Sequence, residues 1–356
     1  MNAQRLAKVR VRLEQEGLDA LLVTEPNNRR YMSGFTGTSG MVVITPQKAW
    51  LITDFRYIEQ ASQQAPLFEV VEHHGDAVHT LKQLLHDAGA GKLGFDAQHL
   101  TYAEYVKLVE ALQPIQLVPT SEWVERLRWI KEPEEIDHIR KAAVIADEAF
   151  RHVLTILRPG IKERDVAAEL EYKMRQLGAS GPAFDTIVAS GPRSALPHGV
   201  AGERVLTEGD LVTLDFGARY EGYCSDLTRT VAIGSVDARL QEIFRIVLEA
   251  QELGLSRIRA GMTGREADAV VRDYISARGY GAAFGHATGH AIGLDIHESP
   301  SLSKRCETVL EPGMVLTVEP GIYLPGLGGV RIEDDVLVTA DGLEVLTGAP
   351  KHLIVL

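Results

Sequence analysis

Residues 211–230 have the sequence LVTLDFGARYEGYCSDLTRT, in which two apolar runs each enclose one aspartate. Aspartate is seldom found inside an apolar strand unless a partner neutralises it. The chain turns near Tyr220 and Glu221, so the stretch predicts an antiparallel hairpin. If the turn is centred between these two residues, Asp215 and Asp226 lie directly opposite each other, with Cβ atoms about 5 Å apart.

This predicted pair of carboxylates needs a positive charge close by, because two like charges at that separation repel each other. A metal ion between Asp215 and Asp226 is one solution. An ion pair with Arg219 or Arg229 is the alternative, and the hairpin by itself does not decide between the two.

A second pair of acidic residues follows the same pattern further along the chain. Glu319 and Glu333 are nearly symmetric about the glycine-rich loop 325–329, which predicts that they face each other across another hairpin. Glu333 is followed by Asp334 and Asp335, so a solvated acidic turn is the alternative. The apolar residues on both sides of this acidic run favour a strand with alternating faces.

Histidines are concentrated in residues 285–298, which read GHATGHAIGLDIHE. His286 and His290 have the spacing of a helical zinc pair, but Ala287 stands where the general-base glutamate of that motif belongs. Three glycines at four-residue spacing also disfavour a helix, so we expect an extended segment. Hydrogen-bonded core histidines are the alternative to a functional role for any one of them, including His297.

A fourth histidine, His198, lies in the sequence Leu196-Pro197-His198-Gly199. A loop position suits a mobile catalytic group. On the local sequence alone, a surface histidine without a special role explains it more simply.

Together these segments predict an oxygen-rich ligand set for a two-metal site. Such sets suit hard or borderline cations such as Mn²⁺. Four carboxylates gathered in one core also require cations to neutralise them. The five predicted ligands are Asp215, Asp226, His290, Glu319 and Glu333.

The first 120 residues or so predict a separate α/β domain, because segments with helical and strand periodicity alternate. Thr101 is predicted to cap a helix, with Glu104 completing a capping box. Helices are expected at 3–16, 80–88 and 101–112, and strands at 20–24, 40–44, 49–53 and 93–95.

The charged, proline-containing segment 130–135 predicts the start of a second domain, with Pro133 in the first turn of a long amphipathic helix. Beyond it the pattern is mixed, with helices expected at 163–177, 236–258 and 264–278 and strand pairs elsewhere. We therefore predict an N-terminal domain at 1–122, a linker at 123–135 and a catalytic domain at 136–356.

Length and composition limit the possible function classes. A chain of 356 residues suggests two domains, and its net charge of −12 argues against nucleic acid and anionic membranes as partners. The N-terminal stretch lacks the apolar run of a signal peptide, and no segment approaches the ~20 apolar residues of a membrane span. With two cysteines and no disulfide framework, a cytoplasmic protein is expected.

The order of motifs in the C-terminal half resembles the pita-bread metallopeptidases, and within them Xaa-Pro dipeptidase (prolidase) and aminopeptidase P. The N-terminal part resembles the creatinase-type domain of the same enzymes through NRRYMSGFTG at 28–37 and TDFRY at 53–57. The resemblance implies an α/β creatinase-type domain followed by an α+β pita-bread domain. The C-terminal motifs are LDFG, SDLTRT, GHATGHAIG, HE, EPGIY and RIED.

The resemblance also implies a role for each predicted site residue. Asp215 and His290 would each bind one metal, and Asp226 and Glu333 would bridge both. Glu319 would bind metal and act as a proton shuttle. The implied supporting or substrate-stabilising residues are His198, His286, His297 and Arg331.

The implied activity is hydrolysis of the Xaa-Pro bond of dipeptides or short proline-containing peptides by a metal-bridging hydroxide. The favoured prediction is an Xaa-Pro dipeptidase. The alternatives are an aminopeptidase P, a broader metal aminopeptidase, and a peptide-binding module without catalysis. The implied cofactors are two divalent ions, Mn²⁺ first and Co²⁺ or Zn²⁺ as alternatives, and the implied assembly is a homodimer.

Overall fold

A computed structural model describes residues 2–356. The chain divides into two compact units, the first ending at Arg128 and the second spanning Trp129–Leu356. In the part of the chain that is described, none of the helices has the length and apolar character needed to cross a bilayer.

The N-terminal unit is an α/β domain built on one mixed six-stranded sheet. The strand order is β4-β3-β2-β1-β5-β6, and β1 pairs antiparallel with β2 and parallel with β5. Its elements are α1 (Asn2–Glu16), β1 (Ala20–Val23), α2 (Pro26–Ser33), β2 (Met41–Ile44), β3 (Ala49–Thr53), α3 (Ile58–Gln64), β4 (Glu69–Glu72), α4 (Ala77–Asp87), β5 (Lys92–Asp96), α5 (Tyr102–Leu112), β6 (Gln116–Thr120) and α6 (Glu125–Arg128).

Two local predictions in this unit are confirmed. Strands β2 and β3 form the expected hairpin, with Ile44 paired to Ala49. Thr101 accepts a hydrogen bond from the Glu104 backbone N–H, and the Glu104 carboxylate accepts one in return from the Thr101 N–H, so the capping box is complete.

The C-terminal unit has mixed α and β structure. The segment predicted as a linker contains α6 and the first turn of α7, whose first residue is Pro133. The elements are α7 (Pro133–Leu154), α8 (Glu163–Gln176), β7 (Gly181–Pro182), β8 (Ile187–Ser190), β9 (Leu211–Phe216), β10 (Ala218–Tyr220), β11 (Tyr223–Cys224), β12 (Leu227–Ala232), α9 (Ala238–Arg257), α10 (Gly264–Ala277), β13 (Gly289–Ala291), β14 (Glu298–Leu302), β15 (Val315–Val318), β16 (Gly321–Leu324), β17 (Gly328–Arg331), β18 (Asp334–Val338) and β19 (Leu343–Val345).

This unit is organised as two sheet-and-helix halves. One apolar core joins α7 and α8 to the sheet β12-β9-β8. A second core joins α9 and α10 to the sheet β14-β13-β15-β18-β19 and the hairpin β16-β17. Every residue of β9 and β12 is buried. Because both faces of these strands are covered, their sequences lack a clear polar alternation.

The predicted register of the first hairpin is wrong by two residues. Asp215 pairs with Thr228, and the turn is centred between Glu221 and Gly222, one position later than predicted. Both turn residues have positive φ, 45° and 77°, as in the two-residue turns that suit hairpin twist. Nothing in the residue pattern indicated that a glutamate would adopt this conformation.

Asp226 leaves the ladder instead of pairing with Asp215. It lies between the end of β11 and the start of β12, and its backbone N–H donates to the Asp335 carboxylate at 2.9 Å. Asp226 and Asp215 nevertheless line the same cavity.

The predicted relationship of the second hairpin is confirmed. Val318 pairs with Asp334, and Gly321 pairs with Arg331, in one continuous register. The positions between these pairs place Glu319 opposite Glu333.

Candidate metal centre

All nine residues predicted for the site line one cavity of about 430 Å³ in the C-terminal unit. They come from β9, the step between β11 and β12, β13 and the residues before it, β17, the links β15-β16 and β17-β18, and two loops. The lining residues are Phe184, Asp185, Ile187, Pro197, His198, Val200, Asp215, Asp226, His286, Ala287, His290, Ile296, His297, Glu319, Arg331 and Glu333.

Three carboxylates in this cavity have a buried oxygen without a hydrogen-bond partner. The atoms are Asp215 Oδ1, Asp226 Oδ1 and Glu333 Oε1. A buried carboxylate oxygen left unpaired costs several kcal/mol, so native proteins supply a proton donor or a cation. The donor set therefore fits divalent cations, which would bind these free oxygens.

The predicted ligand atoms are also close together. One ligand atom from each of Asp226, His290 and Glu333 lies within 4.8 Å of the others. His290 Nε2 is 3.7 Å from Asp226 Oδ2 and 3.4 Å from Glu319 Oε1. An imidazole nitrogen facing two carboxylates at this distance leaves room for an ion between them.

The carboxylates destabilise one another when no cation is present. Burial, together with the charges of neighbouring carboxylates, raises the pKa of Asp226 and Glu333 well above the ordinary range. Burial also raises the pKa of Glu319. Bound cations would reverse these effects, because they favour the ionised ligands.

The surroundings of His290 favour a neutral imidazole with a free lone pair on Nε2. Burial lowers the pKa of His290, so the imidazole is uncharged at neutral pH. Its Nδ1 faces the Ala291 carbonyl oxygen at 3.1 Å, which accepts but cannot donate. The proton therefore belongs on Nδ1, and Nε2 presents its lone pair to the carboxylates.

Arg331 connects the predicted ligands to a hydrogen-bond network that the sequence predicted only in part. Its guanidinium donates to the Asp215 carboxylate, to Thr228 Oγ1 at 3.1 Å and to the Tyr323 hydroxyl at 2.8 Å. Tyr323 in turn lies 2.8 Å from His286 Nε2. The arginine was expected as a support, but the role of Tyr323 was missed because the tyrosine reads as an ordinary strand residue.

Neither arginine proposed as an alternative partner of the aspartates has that role. Arg229 is paired with Asp334 at 2.7 Å, and Arg219 donates to the Ala183 carbonyl oxygen at 3.1 Å. The acidic run that begins at Glu333 is buried as well, which excludes the solvated turn.

Two threonines donate hydrogen bonds to the predicted glutamate ligands and were not singled out from the sequence. Thr228 Oγ1 donates to Glu333 Oε2 at 2.5 Å. Thr317 Oγ1 donates to Glu319 Oε1 at 3.2 Å and accepts from the His290 backbone N–H at 3.1 Å. Strand pairing alone could have suggested Thr228, since it lies opposite Asp215, but only with the correct register.

Cys224 does not line the cavity, although it lies only two residues before Asp226. Its Sγ lies 3.9 Å from the Leu294 carbonyl oxygen, and burial raises the pKa of the thiol to about 12. Strand β11 ends at this residue, before the irregular step to Asp226.

Two family models match this chain, one in each of its two units. The model of metallopeptidase family M24 matches residues 137–340, and that of the creatinase/prolidase N-terminal domain matches residues 5–130. The chain belongs to metallopeptidase family M24, which confirms the predicted two-domain architecture. Membership of this family also implies divalent metal ions as cofactors.

The similar proteins extend over the whole chain. An Xaa-Pro dipeptidase from Bacillus anthracis is 54% identical, with a TM-score of 0.98 and complete coverage of both chains. An X-Pro aminopeptidase from Thermotoga maritima is 41% identical, with a TM-score of 0.92, over 97% of this chain and 100% of that one. An Xaa-Pro dipeptidase from Pyrococcus furiosus is 40% identical over 99% of each chain.

Proposed function

We propose that this protein is a dinuclear metal-dependent peptidase that hydrolyses Xaa-Pro bonds. Its favoured activity is that of an Xaa-Pro dipeptidase. The observation that carries the proposal is the set of three buried, unpaired carboxylate oxygens around one cavity. The relatives named as Xaa-Pro dipeptidases support the substrate class. The proposed metal ligands are Asp215, Asp226, His290, Glu319 and Glu333.

Bound cations would polarise the scissile carbonyl and lower the pKa of a water molecule towards neutrality. The protein's own groups then have to move protons and hold the substrate. Glu319 is proposed to take the proton from water and deliver it to the leaving proline nitrogen. His198 and His297, on two loops of the cavity wall, are proposed to hydrogen-bond the substrate carbonyl as negative charge develops on it.

Hydrogen bonds from neighbouring side chains orient the proposed metal ligands. Arg331 orients Asp215 directly and Glu333 through the hydroxyl of Thr228. His286, linked to the same arginine by Tyr323, lies with its Nδ1 3.9 Å from Glu319 Oε2. We propose that these residues preserve ligand geometry and do not themselves transfer protons.

We propose Mn²⁺ as the native ion, with Co²⁺ or Zn²⁺ as alternatives. Four carboxylates and one imidazole make an oxygen-rich set, and no cysteine thiol lines the cavity in the described chain. Metal analysis of protein purified without added metal tests this choice.

An aminopeptidase P is the second candidate, and one feature of the cavity favours it. A dipeptidase has to recognise the free carboxylate of its C-terminal proline. Among the described residues that line the cavity, the one guanidinium is Arg331, which is already engaged with Asp215, and no lysine is present. His198 and His297 remain as possible partners for that carboxylate.

Hydrolysis of Ala-Pro and of Ala-Pro-Ala, with metal-stripped enzyme and after addition of Mn²⁺, tests the proposal. Metal-dependent cleavage of Ala-Pro alone supports a dipeptidase. Cleavage of Ala-Pro-Ala between its first two residues supports the aminopeptidase. If neither peptide is cleaved by protein that contains two metals, the assignment to proline peptides is wrong, and a broader aminopeptidase or a binding module has to be considered.

We also propose that the protein is a cytoplasmic homodimer that acts on short proline-containing peptides. The support is the family resemblance and, for the compartment, the two free cysteines, Cys224 and Cys306. A monomeric mass by light scattering at micromolar concentration would refute the dimer.

A further inference from the structure

A buried ion pair lies beside the candidate metal centre and has no part in the mechanism above. Lys131 Nζ is 3.1 Å from Glu298 Oε2, and the two side chains are 1% and 6% exposed. Removing both charges from water costs about as much free energy as their attraction returns, so a gain in stability does not by itself explain the pair. Its location is therefore the informative feature.

Glu298 closes a short loop at the cavity wall. It pairs with Ala291 across β13 and β14, and its Oε1 accepts from the Asp295 backbone N–H at 3.2 Å. The carboxylate also packs on Gly293, where an added Cβ would lie 2.5 Å from Oε1. The loop between Ala291 and Glu298 is thus folded around this one carboxylate.

The loop carries two residues of the cavity, Ile296 and His297. The ring of His297 lies edge-on against the ring of His290, with 4.5 Å between centroids. His297 directly precedes Glu298, so the position of its backbone depends on where that carboxylate is held.

The backbone of Lys131 is itself held in place by a hydrogen bond. Its backbone N–H donates to the Gly313 carbonyl oxygen at 2.9 Å, two residues before α7 begins. The side chain is therefore anchored at its base, and the ammonium group holds Glu298 at its tip.

We propose that Lys131 and Glu298 are positioning residues for His297, which they hold against the metal ligand His290 at the substrate carbonyl. This inference rests on the proposed function, because it gives His297 a task in hydrolysis. The pair acts through the backbone of the loop and does not touch the substrate.

A double-mutant cycle tests the proposal, with whichever peptide the wild-type enzyme cleaves as substrate. Lys131→Met is combined with His297→Ala. We expect Lys131→Met alone to lower kcat by about tenfold with KM within about twofold, in the range for groups that support functional residues. In the His297→Ala background the same change should lower kcat by less than about twofold. Equal losses in both backgrounds would overturn the proposal.

Loss of the lysine removes the positive charge that faces a buried carboxylate, so a neutral pair serves as the second variant. Lys131→Met with Glu298→Gln removes both charges at similar volume. This variant should fold and show the same fall in kcat. A kcat equal to that of the wild type would overturn the proposal.

Hydrogen exchange supplies a measurement that does not depend on activity. In the neutral-pair variant, the amide of Asp295 and its neighbours in residues 292–298 should exchange about tenfold faster or more. The control Arg140→Met removes the surface pair with Glu344 and should leave this segment unchanged. Unchanged exchange in the neutral-pair variant would overturn the positioning role, whereas a wild-type enzyme inactive on both peptides would overturn only the proposed substrate.

Discussion

Glu319 and Glu333 occupy opposite positions in one antiparallel register, yet their backbone N–H groups bind to different neighbouring segments. Glu319 N–H donates to the Thr288 carbonyl oxygen at 2.8 Å, and Glu333 N–H donates to the Thr228 carbonyl oxygen at 3.1 Å. At this pair the two strands do not bond to each other. Glu319 instead contacts the histidine segment 285–298, and Glu333 contacts the hairpin that carries Asp215. This opening of the ladder explains how predicted ligands that are far apart in sequence converge.

Asp226→Asn tests the proposed bridging carboxylate. The amide keeps the size of the side chain but loses its charge, so we expect metal content to fall from two ions per chain to one or none. kcat/KM should fall by more than about 100-fold, beyond the usual effect of groups that only support ligands. Metal analysis and peptide hydrolysis measure the two effects.

Asp185→Asn is the matched control for metal content. Asp185 also lines the cavity but is exposed and is not a proposed ligand. Full metal content in Asp226→Asn, or an equal loss in both variants, would contradict the ligand assignment.

Tyr323→Phe tests the network between Arg331 and His286. Removing the hydroxyl deletes two hydrogen bonds of 2.8 Å without changing the ring. We expect kcat/KM to fall about 10- to 100-fold while the free energy of unfolding falls by only about 1–3 kcal/mol. Steady-state kinetics and urea denaturation measure these changes. Tyr274→Phe, which removes a hydrogen bond to Glu249, should keep activity within about twofold.

Gly289→Ala tests the close approach of the histidine strand to β15. An added Cβ would lie 1.9 Å from the Thr317 carbonyl oxygen. We expect a loss of about 1–3 kcal/mol in the free energy of unfolding, together with weaker metal binding, because His290 is the next residue. Gly285→Ala meets nothing within 4 Å and should change stability by less than about 0.5 kcal/mol. Equal stability of the two variants would argue against the packing described here.

The stabilisation by metal should depend on pH. Burial and the neighbouring carboxylates raise the pKa of Asp226 and Glu333 in the folded, metal-free protein above the value of about 4 in the unfolded chain. Their contribution to stability is thus fully present below about pH 4 and is lost as the pH rises through the folded-state pKa. Cations remove that loss, so adding Mn²⁺ to metal-stripped protein should raise Tm more at pH 8 than at pH 5.5.

Calorimetry at the two pH values, with and without Mn²⁺, measures this difference. A Tm increase that is the same at pH 5.5 and pH 8, or larger at pH 5.5, would contradict the account of these carboxylates.

Much of the site could be predicted from the sequence because its residues are chemically unusual where they stand. Acidic residues within apolar segments, such as Asp215 and Glu333, have few explanations, and spacing about the second turn correctly predicted that Glu333 lies opposite Glu319. The structure places every predicted ligand at one cavity, while their roles in binding metal stay predictions.

The rest depended on details that residue type does not reveal. A positive φ at Glu221 moved the first hairpin by two residues, so that Thr228 and not Asp226 lies opposite Asp215. Tyr323 was missed because its function depends on neighbours from other strands, which periodicity within one segment cannot identify.

Equilibrium dialysis of Mn²⁺ against the metal-stripped protein tests the central claim most directly, with Ala-Pro hydrolysis measured at each metal concentration. We predict that two Mn²⁺ ions bind per wild-type chain, that hydrolysis follows occupancy of both, and that Asp226→Asn loses at least one ion. Full hydrolysis by protein that binds no metal, or wild-type binding of fewer than two ions at saturating Mn²⁺, would contradict the dinuclear centre.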